Sequence, residues 1–73
     1  MTNDLEIQAK RLQQIAEELE SAAAHARTAA NHFKQSEVPR ACAHSLAVDG
    51  HIAAAKELLT EVAKTHRLKT NPE

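Results

Sequence analysis

Residues 5–33, LEIQAKRLQQIAEELESAAAHARTAANHF, decide how this chain folds. Leucine or a substitute returns every seventh residue, at Leu5, Leu12, Leu19, Ala26 and Phe33, and alanine fills the interleaved series Ala9, Ala16, Ala23 and Ala30. Alternating steps of four and three bring both series to one side of an α-helix, as in a heptad repeat. Ile15, Ala22 and Ala29 border that stripe and widen it, which predicts burial against more than one neighbouring helix. The run is rich in Ala, Glu, Gln, Leu and Arg, all strong helix formers, and predicts a helix over about 4–35. Asn3 or Asp4 is the expected N-cap, with Glu6 in the favourable first turn.

Val38-Pro39 interrupts this pattern, because a proline disfavours the α region for the residue before it and suits the first turn of a new helix. A turn is expected at about 36–38. Beyond it, Ala41, Val48, Ile52, Ala55, Leu59 and Val62, with Ala47, Ala54 and Leu58 alongside, predict a second amphipathic helix over about 39–68. Gly50 lies inside this helix at a cost of about 1 kcal/mol relative to alanine. That cost marks either a close helix contact or a local break at Gly50, of which the contact is the favoured reading. The tail 69–73, which contains Pro72, is expected to fray.

Two long helices joined by a short link predict an all-α antiparallel hairpin in a single domain. Of the 73 residues, 15 are alanine and only 15 are Leu, Ile, Val, Met or Phe, so one hairpin has little with which to build a core. Stripes too wide for a single neighbour predict that two hairpins pair as a homodimer, forming a four-helix bundle. That architecture is similar to the dimeric hairpins of the Rop-like class, a likeness of fold that carries no function. With one glycine and two prolines the chain lacks the turn residues that sandwiches, barrels or βαβ units require.

Nine Lys and Arg oppose ten Asp and Glu, for a formal charge of −1, so no global basic surplus drives phosphate binding. The first 24 residues sum to −3 and residues 25–69 to +3, which favours pairing of the acidic half with the basic half. A single cysteine, Cys42, closes no internal disulfide and fits a reducing, cytoplasmic setting. No membrane partner is expected, since no apolar run approaches the roughly 18–20 residues of a membrane span.

Four of the five histidines, His25, His32, His44 and His51, are arranged symmetrically about the turn. With the hairpin axis near residue 38, His32 stands level with His44 and His25 with His51. A transition-metal reading would use these four as imidazole ligands, Cys42 as a soft ligand and Glu18 or Asp49 as an oxygen donor. The plainer expectation keeps His44 and His51 at the rim of the apolar stripe and His25 and His32 further toward solvent, so that the two sets do not converge. No HExxH, CxxC or di-iron Glu-x-x-His pattern is present. Cys42, near the start of the second helix, is expected to be a buried structural thiol.

An enzyme is not expected, because a thin alanine-rich bundle offers no pocket in which acids, bases and nucleophiles converge. No cofactor is implied. Nucleic-acid binding would use Arg27, Lys34 and Arg40 near the turn, but these are sparse and have no aromatic residues interleaved for stacking. The favoured reading is a small interaction, adaptor or regulatory protein acting as a homodimer. Its specificity is expected near the turn, at Phe33, Lys34, Val38 and Arg40. Phe33 itself is expected to plug the bundle end; exposed beside Val38, it would instead mark a docking surface.

Overall fold

The computed structural model describes residues 2–70, with side chains from 4 to 67. Its two helices, α1 (Thr2–Lys34) and α2 (Val38–Thr70), form an antiparallel hairpin. The hairpin measures 55 × 21 × 12 Å, as expected of two 33-residue helices lying side by side at 1.5 Å per residue. Helix α1 is already under way at Thr2, so Asn3 and Asp4 lie within its first turn and do not precede it as N-caps. Helix α2 continues through Lys69 and Thr70, where fraying was expected; residues 71–73 of the expected tail lie outside the described residues.

The turn uses a non-glycine residue where glycine is usual. Ser36 has φ 63°, the left-handed conformation that ends many helices at the position just past the cap. Its N–H donates to the Phe33 carbonyl at 3.0 Å, and the Glu37 N–H reaches back to the His32 carbonyl at 2.8 Å. These are the two bonds of a Schellman motif, and they satisfy carbonyls that the end of α1 would otherwise leave open. Glu37 then starts α2 by accepting the Ala41 N–H at 3.0 Å. Pro39 is thus the second residue of the new helix and not its first, a place where its missing N–H costs nothing.

The main correction concerns which side of each helix meets the other. The least exposed positions of α1 are Gln8, Ile15, Ala22 and Ala29, alternating with Asp4, Arg11, Glu18, His25 and His32. Helix α2 answers with Ala41, Val48, Ala55 and Val62, alternating with His44, His51, Leu58 and Thr65. The expected core stripe of Leu5, Leu12, Leu19, Ala26 and Phe33 stands one residue further round, about 100° away, and is exposed. Ile52 and Leu59 of α2 are exposed in the same way. The hydrophobic residues that the hairpin buries are four alanines, Ala22, Ala29, Ala41 and Ala55, and no large side chain is fully buried among the described residues. Small side chains at these layers let two backbones approach closely, but each methyl group removes little apolar surface from water.

Gly50 is neither a close contact nor a break. A Cβ there would meet nothing within 4 Å, and α2 runs through it without interruption. Replacing Gly50 with alanine should therefore stabilise the protein by about 1 kcal/mol through helix propensity alone. Ser36→Gly should add a similar amount, on the order of 1 kcal/mol, by removing the cost of a left-handed L-residue. Urea melts at fixed protein concentration check both changes. An unchanged midpoint for Ser36→Gly would mean that the left-handed turn is not the one populated in solution.

Candidate functional site

The 4-3 rhythm that places alanine at one inward position places a polar residue at the next. Through the turn-proximal half of the hairpin that residue is repeatedly histidine, and the antiparallel register interleaves the two helices' imidazoles. Glu18 of α1 accepts from His51 Nδ1–H at 2.6 Å. The His51 ring lies against His25, with centroids 5.4 Å apart and planes within 18°. His25 and His44 bring their Nδ1 atoms to 3.0 Å with ring centroids 5.2 Å apart. His44 in turn stacks on His32 at 5.4 Å and 16°. His32 Nδ1–H donates to Glu37 Oε1 at 2.6 Å. The result is one column along the hairpin axis, Glu18, His51, His25, His44, His32, Glu37, with a carboxylate at each end and His25 and His44 at its centre.

This column revises the reading of the histidines as rim or solvent groups. All four are only partly exposed, and both sets face the seam. The level pairs expected from the turn, His32 with His44 and His25 with His51, are the two stacked pairs. The hydrogen bond joins instead the staggered pair, His25 and His44, half a layer away. Glu37 was not singled out by its spacing, although the turn gives it a double role. In a Schellman motif the residue after the left-handed position touches the one five earlier, usually through apolar side chains. Here that contact is the His32–Glu37 hydrogen bond, so the helix end and the column end are the same interaction. Arg40 Nη1 stands 3.9 Å from the other Glu37 oxygen.

The remaining candidates do not join the column. Cys42 is exposed, not buried as its residue type suggested, and it lies on the outer flank of α2. Asp49 is exposed. Among the described residues no group of three or more His, Cys, Asp or Glu side chains is arranged to hold a metal ion. Arg27, Lys34 and Arg40 are all exposed near the turn. Beyond the column, toward the open end, Arg11 Nη1 donates to Gln8 Oε1 at 3.3 Å and to Thr65 Oγ1 at 3.4 Å.

A second feature is the face onto which the leucine stripe is turned. In an antiparallel pair, residues one step past the inward polar position on each helix lie on the same broad side. For α1 these are Leu5, Leu12, Leu19, Ala26 and Phe33, and for α2 they are Val38, Ser45, Ile52, Leu59 and His66. Among the described residues, seven of the nine exposed large hydrophobic side chains belong to this one face; Ile7 and Leu46 are the exceptions. Phe33 is 51% exposed and Val38 equally so, which corrects the expectation of a plugged bundle end. An open groove of about 360 Å³ runs beside them, lined by Ala26, Ala29, Ala30, Phe33, Ser45 and Val48. Ser45 leaves no unpaired donor on the face, since its hydroxyl bonds the Ala41 carbonyl one turn back at 2.8 Å.

No family model, curated protein or solved structure matches the chain. Among the described residues no helix is long and apolar enough to cross a membrane.

If the His32–Glu37 contact ties the end of α1 to the start of α2, Glu37→Ala should destabilise the hairpin by about 1–2 kcal/mol, since it leaves a part-buried imidazole donor without its acceptor. Glu57→Ala, an exposed carboxylate on α2 outside the column, should change stability by less than about 0.5 kcal/mol. Equal effects from the two substitutions in urea titrations would remove the column end from the account.

Proposed function

We propose that the protein is a small helical interaction module that works as a homodimer, with the leucine-lined faces of two hairpins packed together as a four-helix bundle. The observation that carries this reading is the separation of two seams on one helix. The inward seam of α1 holds polar residues with Ala22, Ala29 and a single large apolar residue, Ile15, whereas the outward one holds Leu5, Leu12, Leu19 and Phe33 with Ala9, Ala16, Ala23 and Ala30 beside them. Large residues at one position and alanine at the other is the pattern of a helix packing closely against helices. Within one hairpin this pattern meets no partner.

A second copy fits the face better than a small ligand does. The face is 55 Å long and 21 Å wide, on the order of 1,100 Å² in projection, whereas a standard stable interface takes about 800 Å² from each partner. It is flat, continuous and self-complementary in chemistry, as a two-fold interface must be. The exposed large hydrophobic residues are also gathered on this side and not scattered singly over the surface. Pairing leaves the opposite side of each hairpin outward, with Gln14, Ser21, Thr28, Arg40 and Glu61 on it. Those polar sides and the two turn ends, with Arg27, Lys34 and Arg40, are then the surfaces offered to another macromolecule.

Light scattering coupled to size exclusion should give twice the 8.0 kDa chain mass at micromolar concentration. Leu12→Glu with Leu19→Glu should convert it to the chain mass or unfold it, whereas Gln14→Glu, on the opposite side, should leave the dimer intact. A wild-type mass of one chain across this range would overturn the proposal.

A further inference from the structure

We propose that the histidine column is a proton-operated lock, which holds the hairpin closed at neutral pH and releases it when the two central imidazoles are both protonated. The central contact sets the limit. An Nδ1 to Nδ1 distance of 3.0 Å requires one nitrogen to donate and the other to accept, so the two facing positions share a single proton. Two imidazolium N–H groups cannot point at each other at that distance. Imidazole is the side chain that gains a proton in mild acid, and once α1 and α2 separate each of the two facing nitrogens is free to carry one.

The ends of the column work in the opposite sense. Glu18 and Glu37 accept from His51 and His32 at 2.6 Å, so each outer Nδ1–H points at a carboxylate and not at another N–H. The outer two histidines can therefore be charged without opening the seam. Among the described residues no other titratable group flanks the column in the burial pattern. Its flanks are Ser21, Thr28, Ala47 and Ala54 on one side and Leu19, Ala26, Ser45 and Ile52 on the other, and Arg40 approaches only Glu37. The conflict between facing N–H groups is thus confined to His25 and His44, which stack directly on the two outer rings.

The sign follows from proton counting. The separated helices have room for a proton on each of the two facing nitrogens and the closed hairpin has room for one, so a condition that protonates both works against the closed seam and stability is lost as pH falls.

Thermal melts at fixed protein concentration, with a chelator present, test the lock. The wild-type midpoint should fall by roughly 5–10 °C between pH 7.5 and pH 5.0. His25→Gln with His44→Gln replaces the central pair by neutral amides that can still bond each other, and its midpoint should not move over that range. A wild-type midpoint that does not change, or a His25/His44 double variant that falls as far as the wild type, would overturn the proposal. Should that variant fail to fold, imidazole NMR of the wild type decides. His25 and His44 together should take up one proton in the folded protein over this range; two would contradict the lock.

Discussion

The structure depends on how little fits between its two helices. Ala22, Ala29, Ala41 and Ala55 form the covered layers of the seam, and the layers between them through the turn-proximal half are flat rings from alternate helices. Rings suit this space because each presents a face to its neighbour and an edge to a polar partner. The column therefore closes on itself, from Glu18 through four imidazoles to Glu37, without a large apolar side chain inside it. A leucine at His25 or His44 would bring more apolar area but no means of fixing the register. The alternating stacks and hydrogen bonds allow only one, since sliding either helix by a turn would set imidazole against Glu18 or Glu37 at the wrong levels.

From this constraint follows the position of the leucines. A helix has room for one seam toward its hairpin partner, and with histidine and alanine there, Leu5, Leu12 and Leu19 are carried about 100° around the axis. They do not scatter into solvent, because the residues one step past the inward position on both helices of an antiparallel pair share a side. The polar interior and the apolar exterior are thus one arrangement. The turn belongs to it as well, since Glu37 holds His32 in the column while Ser36 and Glu37 close the end of α1.

The two helices, their antiparallel course and the break before Val38-Pro39 were legible from propensity and proline chemistry alone. Heptad phase was not. Helix α1 carries two stripes of the same period, one led by Leu5, Leu12 and Leu19 and the other by Arg11, Glu18, His25 and His32, and hydrophobicity favours the first as the core. Periodicity says which residues share a face but not which face meets the helix that follows. The symmetry of His25, His32, His44 and His51 about the turn was the available signal for the second phase, since four rings at matching levels are most economically explained by contact. Glu18 was recognisable as a carboxylate near that set. Glu37 was not, because its partnership with His32 arises from a left-handed Ser36 that no residue type announces. Cys42 and Phe33 were misplaced for a shared reason: both were assigned by the usual burial of their type, and in a hairpin only two helices thick most positions are outside.

The account stands or falls on which stripe faces which partner, and contacts measured between labelled and unlabelled chains read this directly. In an isotope-filtered NMR experiment on a mixture of the two, the methyl groups of Leu12 and Leu19 should show contacts between chains. The imidazole protons of His25 and His44 should show contacts only within a chain. Leucine methyl groups in contact with His44 or His51 of their own chain would place the leucine stripe in the hairpin seam and contradict it.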